Sequence, residues 1–328
     1  MNAPKNEPGN APTNVVALAG GIGGGKFLRG LVRVVEPTGV TAIVNTGDDL
    51  WMHGLRICPD LDSVTYRLGD VFDRTRGWGR RDESFRATEE LRAFDPGAAW
   101  FGLGDLDLAT HLYRTRLLGE GVTLTEVTAR VATRFGIEAT IVPMTEHEVA
   151  TRVQVLSPDE GPLDLHFQEY WVQRGGRDEV QRVRVQGIEA SQPSPGVIDA
   201  IERADVVVFA PSNPVVSIGP ILSVPGIRSA LAARRPTVVG ISGILGGAPV
   251  AGMADRLMPA AGMEVTAAGV AAAYRDVVAG WVIDERDRGL ATRIADESSM
   301  RVAITDTIMQ DDEAAARVAR VALDLVTA

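Results

Sequence analysis

Apolar residues in this chain come in short continuous runs, and each run ends in turn-forming residues. Val15-Val16-Ala17-Leu18-Ala19 gives way to the glycines from Gly20 to Gly25, and Thr41-Ala42-Ile43-Val44-Asn45 to Thr46-Gly47-Asp48-Asp49. Val206 to Ala210 gives way to Pro211-Ser212-Asn213-Pro214, and Thr237 to Ile241 to Ser242-Gly243-Ile244-Leu245-Gly246-Gly247. A run that is apolar at both odd and even positions belongs to a strand covered on both faces. Helical patterns lie between the runs: an apolar-periodic segment beginning near Lys26, a helix beginning near Ser63, and one from Ile227 to Ala233. Thr123-Leu124-Thr125-Glu126 is a capping box that opens a helix through about Arg134, ahead of a strand from Glu138 to Val142. Ser194-Pro195 marks the start of another helix.

Repeated strand, loop and helix predict a parallel sheet with right-handed crossovers, whose ligands sit beyond the carboxyl ends of its strands. The four loops should therefore share one cleft. Arg152 to Ser157 and Leu163 to Trp171 alternate instead, as antiparallel strands do, which places an insertion near residues 145–190. The fold class is thus α/β: a Rossmann-like three-layer fold with a mostly parallel sheet and a small antiparallel β insertion. It spans 14–328 as a single domain. Residues 1–13 hold three prolines, three asparagines and no periodicity, and are expected to be a disordered tail.

The glycine segment carries chemistry as well as shape. Successive residues able to take positive φ let backbone N–H groups converge on an anion, and a following helix adds its positive end. Phosphate is the expected guest, held by Gly20, Gly21, Gly23, Gly24 and Lys26; a turn that merely packs a helix on its strand is the alternative. Neither familiar glycine pattern fits. G-x-G-x-x-G from Gly21 requires glycine where Lys26 stands, which also counts against a nicotinamide-dependent oxidoreductase using Asp48 as its ribose acid. Gly20 through Lys26 satisfies G-x-x-x-x-G-K, but Phe27 follows and lacks the hydroxyl that would hold Mg²⁺.

A metal must then be held from elsewhere, and Asn45 to Tyr66 concentrates four carboxylates, Asp48, Asp49, Asp60 and Asp62. Hard oxygen ligands beside a phosphate loop suit Mg²⁺. The same residues could form an Asx turn or cap the helix near Ser63. Among four histidines, His53 and His111 fall near the cleft loops, with no H-x-x-x-H zinc spacing, and a hydrogen-bonding role suits them better than ligation. The net charge of −10 at pH 7 argues against nonspecific binding to nucleic acid or to an anionic membrane. With one cysteine, Cys58, no apolar span of about 18 residues and no signal-like segment, a cytoplasmic chain is expected.

Longer motifs in fixed order carry a resemblance. Ala19 to Phe27, Asn45 to Asp62, Gly77-Trp78-Gly79, Phe101 to His111, His166 to Trp171 and Ala210 to Leu222 together make the chain similar to the 2-phospho-L-lactate transferase family over about residues 15–325. The resemblance implies an Mg²⁺-dependent transfer in coenzyme F-420 biosynthesis. A phosphoryl-linked three-carbon acid moves from its guanosine diphosphate conjugate to the terminal ribityl hydroxyl of the deazaflavin 7,8-didemethyl-8-hydroxy-5-deazariboflavin, and GMP is released. It also implies a homodimer. The acid could be phospholactyl, phosphoenolpyruvyl or phosphoglyceryl, with the second ranked slightly ahead.

Carried onto matching positions, Asp48 is the first metal contact and Asp60 or Asp62 the second. Asp48 and Asp49 are the catalytic pair, Asp49 steering or deprotonating the acceptor hydroxyl. Ser212, Asn213, Ser217 and Gly219 are assigned to guanosine, although Asn213 could equally cap a turn. Trp51, Arg56, Trp78 and His111 are assigned to the acceptor, each of which could also be core. One departure stands out, since the resemblance leads one to expect a basic residue between Asp105 and Asp107, where this chain has Leu106. The alternative function is a nucleotide-sugar-binding regulatory protein of a sister branch. Those proteins follow their Asp-Asp with Gly-Gly-Ser-Ser, whereas Asp48-Asp49 here leads into Leu50-Trp51-Met52-His53. The loop-rich Asp70 to Ser84 is expected to be a mobile cover.

Overall fold

A computed structural model describes residues 12–97 and 99–327. Most of the proposed tail thus lies outside the described residues, but Thr13 is anchored, its amide (2.9 Å) and hydroxyl (3.2 Å) donating to the Asp205 carboxylate. Seven strands form the central sheet: β1 (Val15–Ala19), β2 (Val40–Val44), β3 (Thr140–Pro143), β7 (Val206–Phe209), β8 (Val238–Ile241), β9 (Gly280–Asp284) and β10 (Arg301–Thr305). Their spatial order is β10-β9-β8-β7-β1-β2-β3, and every neighbouring pair is parallel. The chain runs outward from β1 through β2 to β3, then returns to the other side of β1. The sheet reverses its winding between β1 and β7, which is where ligands of such sheets bind.

Side chains alternate across the sheet and so split the core in two. Val16 and Leu18 belong to one apolar cluster, Val15, Ala17 and Ala19 to another on the opposite face. The second face is covered by α1 (Gly21–Leu31), α2 (Pro59–Leu68) and the C-terminal helix α7 (Asp312–Thr327). Helix α1 lies so close to α7 that a Cβ on Gly30 would collide with the backbone of Ala315 and Ala316. Also present are α3 (Asp105–Gly119), α4 (Leu124–Arg134), α5 (Val197–Arg203) and α6 (Ile227–Ala233). The Thr123 hydroxyl accepts from the Glu126 amide, as the capping-box reading requires, and α6 has the bounds its pattern predicts.

The insertion is a three-stranded antiparallel sheet of β4 (Ala150–Ser157), β5 (Gly161–His166) and β6 (Glu179–Gln186), in the order β5-β4-β6. Its second strand stops at His166 rather than running to Trp171, because Glu169–Gln173 folds into a turn of π-helix and the Glu169 carboxylate accepts from the His166 amide at 2.7 Å. Two helix starts differ from those read in the sequence. Helix α2 begins at Pro59, so Asp60 and Asp62 sit inside its first turn rather than capping a helix near Ser63. Helix α5 begins after Gly196, whose φ of 84° ends the Ser194-Pro195 turn. No single helix among the described residues is long and apolar enough to cross a membrane.

Candidate active site

The carboxyl ends of β1, β2, β7 and β8 open into one cavity of about 790 Å³, lined among others by Gly20, Asp48, Ser212 and Ser242. The four loops do share a cleft. At the sheet reversal the Ser212 hydroxyl ties the two halves together, accepting from the Gly20 amide at 3.1 Å and donating to the Gly20 carbonyl at 2.8 Å. The glycines divide the work differently from the sequence reading. Of Gly20 to Gly25 only Gly21 has a positive φ, 61°, and α1 starts there rather than near Lys26. Gly23, Gly24 and Gly25 are helical and permit close approach. Added Cβ atoms would lie 2.6 Å from the Pro211 carbonyl oxygen, 2.8 Å from Ser212 Oγ and 2.6 Å from Arg67 Cδ. With Gly20 as N-cap, the Gly21 amide donates to the Asp60 carboxylate, while the amides of Ile22 and Gly23 have no side-chain partner among the described residues, and both residues line the cavity at the helix's positive end.

The four clustered carboxylates separate into two kinds. Asp62 is gripped by both ends of the Arg114 guanidinium, and Asp49 pairs with Arg56 at 3.2 Å, both pairs being buried. Asp48 and Asp60 have no cation among the described residues. They share one donor group instead, Asn45 Nδ2, at 3.1 Å from Asp48 Oδ1 and 2.8 Å from Asp60 Oδ2, while Gln168 Nε2 donates to Asp48 Oδ2 at 3.3 Å. Burial, reinforced by Asp60, holds the Asp48 carboxyl well above the usual range, and burial pushes Asp60 up to about 7. Two adjacent carboxylates that are 4% and 5% exposed, both aimed into the cavity beside a phosphate-type turn, are the uncompensated charge a hard divalent cation would neutralise. The residues present fit Mg²⁺, which Asp48 and Asp60 would hold. Asp62, the other expected second ligand, is already compensated by Arg114. Asp49 is likewise turned away, its carboxylate facing Arg56, so it is not placed to steer an acceptor in this cavity.

The raised carboxyls set a pH dependence. Asp60, at about 7 in the fold and near 3.8 when unfolded, binds more protons folded than unfolded between those values, so metal-free stability falls as pH rises from about 4 to about 7. Asp49, raised to about 6 by burial against the opposing pull of Arg56, acts in the same sense. A cation needs the deprotonated pair. The rise in melting temperature on adding saturating Mg²⁺ is therefore expected to be small at pH 5.5 and to grow through pH 8; a rise independent of pH would contradict the assignment.

The other predicted residues are distributed as follows. Gly20, Gly21, Gly23, Lys26, Ser212, Asn213, Ser217, Trp78 and His111 all reach the cavity wall. Gly24 packs on Ala19 and Ser212, and a Cβ added at Gly219 would lie 2.9 Å from the Pro214 carbonyl oxygen, so both positions serve close packing. Asn213 Oδ1 caps its own turn, accepting from the Val215 and Val216 amides at 2.9 and 3.3 Å. Trp51 and Arg56 are not brought to Trp78 and His111; they line a separate cavity of about 620 Å³ with Glu148 and His166. His111 is held in a buried polar chain. Arg114 Nη1 lies 3.1 Å from its Nδ1, Asp107 lies 3.5 Å from its Nε2, and the Tyr66 hydroxyl donates to Asp107 at 2.5 Å. Segment 70–84 brings Trp78 onto the wall, and its Glu83 accepts from the Leu106 and Asp107 amides at 2.6 and 3.2 Å. A basic side chain reaches Leu106 from that same segment, Arg80 donating to the Leu106 carbonyl at 3.0 Å.

Asn45, Gln168, Tyr66 and Asp107 escaped the sequence reading as site residues. Asn45 had a signal, since it ends the strand that carries Asp48; Gln168 lies in the His166 to Trp171 motif, but nothing local shows that the insertion delivers it to Asp48.

This arrangement belongs to a chain whose residues 15–323 match the family described as 2-phospho-L-lactate transferase CofD. The chain belongs to that family. It is accordingly a CofD-type transferase. It is 47% identical over 312 residues to the phosphoenolpyruvate transferase of Streptomyces griseus, covering 95% of this chain and 98% of that one. Similar proteins of the same description come from Thermobifida fusca, at 43% identity, with 95% of this chain and 97% of that one covered, and from Mycolicibacterium smegmatis, at 40%, with 95% and 98% covered. Among solved structures, a UPF0052 family protein of Bacillus halodurans superposes with a TM-score of 0.60 over 96% of this chain and 100% of that one. At 16% identity it shows the shared α/β architecture alone. In this CofD-family chain the uncompensated pair Asp48 and Asp60 thus sits where the sheet reverses.

Proposed function

We propose that this transferase moves a phosphoenolpyruvyl group from its guanosine diphosphate conjugate to the terminal ribityl hydroxyl of 7,8-didemethyl-8-hydroxy-5-deazariboflavin, releasing GMP, as a step of coenzyme F-420 biosynthesis. The hydroxyl oxygen bonds to the phosphorus that bears the three-carbon acid, the bond from that phosphorus to the GMP oxygen breaks, and the hydroxyl proton is released. The single observation that carries the reading is the juxtaposition, in one cavity, of the α1 amides at Ile22 and Gly23 with the carboxylate pair Asp48 and Asp60. Both halves suit a diphosphate. The choice of enolpyruvyl rests on the description shared by relatives at 40–47% identity.

Each residue has a task that needs no covalent intermediate. The amides of Ile22 and Gly23 and the positive end of α1 hold the leaving phosphate as its charge develops. A divalent cation on Asp48 and Asp60 would neutralise the diphosphate. Asn45 and Gln168 fix the rotamers of those carboxylates. Trp78, Trp100, Phe101, Phe167 and Trp171 give the far wall flat apolar faces on which a deazaflavin ring can stack while water is kept from the phosphorus.

Incubation with the deazaflavin, Mg²⁺ and, separately, the phospholactyl, phosphoenolpyruvyl and phosphoglyceryl conjugates tests this by mass spectrometry. The expected result is deazaflavin product and GMP in equal amounts, fastest with the phosphoenolpyruvyl conjugate. Faster turnover of another conjugate overturns the donor, and no product with any of them overturns the reaction.

A further inference from the structure

Lys5 and Lys26 are the chain's two lysines, and Lys26 lies on the cavity wall. Among the described residues its ammonium has neither an ion pair nor a hydrogen bond. Beside it, on α2, the Arg67 guanidinium is in the same condition, and its Nε is buried without a partner. This is unusual company for a protein in which the neighbouring cations are satisfied. Arg29 and Arg33 are paired with Asp312 at 2.8 and 3.1 Å, and Arg74 with Asp70 at 3.2 Å. Arg67 is also held in place. Its Cζ lies 3.6 Å from the Phe72 ring centroid, and its stem fills the space that a side chain at residue 25 would need. Burial lowers both groups, Arg67 to about 10, and each suffers from a like charge nearby, Lys26 from Arg67 and Arg67 from Arg74.

Among the described residues the one opposing charge near this half-buried pair, Asp312 beside Arg67, is already paired with Arg29 and Arg33, which leaves the two cations open to a visiting anion. Their placement says which anion. Asp60, Ser63 and Arg67 are spaced i, i+3, i+7 on α2 and so share one helix face, running along the seam with α1 from the carboxylate pair outward. Asp60 approaches α1 at Gly20 and Gly21, and Ser63 and Arg67 approach it at Gly25, next to Lys26. A ligand whose phosphate sits on the amides at the start of α1 would extend along this seam.

We propose that Lys26 and Arg67 form a two-cation clamp at the outer end of the α1–α2 seam, taking an anionic group of the donor conjugate, a phosphate or its carboxylate. The assignment rests on the donor reading of the same cavity. Arg67 is a positioning residue: it fixes the donor along the seam and leaves the chemistry to the Asp48 end.

Two experiments together test the clamp. In steady-state kinetics Arg67→Met, which keeps the apolar stem on Phe72, is expected to raise KM for the conjugate about tenfold or more with kcat little changed, and Arg67→Lys to restore most of the loss. Unchanged KM in Arg67→Met, with the melting temperature of the wild type, overturns the clamp. The second experiment does not need turnover and so separates failure of the clamp from failure of the donor reading. Lys26 is labelled with an amine-reactive reagent and quantified by peptide mass spectrometry, with inorganic diphosphate or malonate as competitor. Protection by diphosphate alone assigns a phosphate, and protection by malonate assigns the carboxylate; either must weaken in Arg67→Met. No protection by either, or protection that survives Arg67→Met, overturns the clamp.

Discussion

Asp60→Asn is expected to lower kcat/KM by about 10²–10³-fold while raising the melting temperature of the metal-free protein. The two effects have one origin. Asp60 and Asp48 are buried against the same Asn45 amide with no cation beside them, so each carboxylate destabilises the other in the absence of metal. The carboxamide keeps the shape and an acceptor for Asn45 Nδ2 but removes one charge. The fold gains what the repulsion took, most at pH above about 7 where Asp60 is ionised. The price appears in cation affinity, so the pH-dependent rise in melting temperature with Mg²⁺ should largely vanish. Wild-type turnover in Asp60→Asn, or an undiminished response to Mg²⁺, would show that the pair is not the cation site.

The opposite outcome is expected at the neighbouring buried pair, Asp62 with Arg114. Arg114→Met is expected to cost about 3–5 kcal/mol of unfolding free energy, because Asp62 would remain buried without its partner. Arg114 is 3% exposed and Asp62 8% by side chain, and the guanidinium also reaches His111 Nδ1 and the Arg56 carbonyl. Adding Asp62→Asn to Arg114→Met should recover a large part of the loss, since the uncompensated charge goes with it. Urea denaturation of the two variants and the wild type at neutral pH measures this. A loss below about 1 kcal/mol in Arg114→Met would mean that Asp62 is compensated by something else, and would return it to the list of metal ligands.

These contrasting expectations for two aspartates two residues apart mark the limit of what the sequence could express. Strands covered on both faces are legible because every position in Val15–Ala19 or Val206–Phe209 must be apolar, and the turn residues after them announce the loops that meet in the cleft. Their convergence follows from parallel winding alone. Compensation of charge does not. Arg114 lies 52 residues from Asp62, and nothing local distinguishes Asp62 from Asp60. The glycine segment misled for a related reason: most of its glycines answer close contacts with Pro211, Ser212 and Arg67, brought in by later parts of the chain, and only Gly21 needs the left-handed backbone. Trp51 and Arg56 were misplaced because the short hairpin of Leu50–Met52 and Leu55–Ile57 turns them to the other side of the Asp48-Asp49 turn.

The most direct test of the central claim, that Asp48 and Asp60 hold the cation of the transfer reaction, is a crystal grown with GDP and Mn²⁺ as the Mg²⁺ stand-in, with data recorded at the manganese absorption edge. The predicted result is an anomalous peak touching a carboxylate oxygen of Asp48, one of Asp60 and a phosphate oxygen of the nucleotide. Asp62, Asp107 and His111 also bring three ligand atoms within 4.8 Å of one another. A peak among those three residues with none between Asp48 and Asp60, or nucleotide bound at Gly20 and Gly21 with no peak at all, would contradict the account.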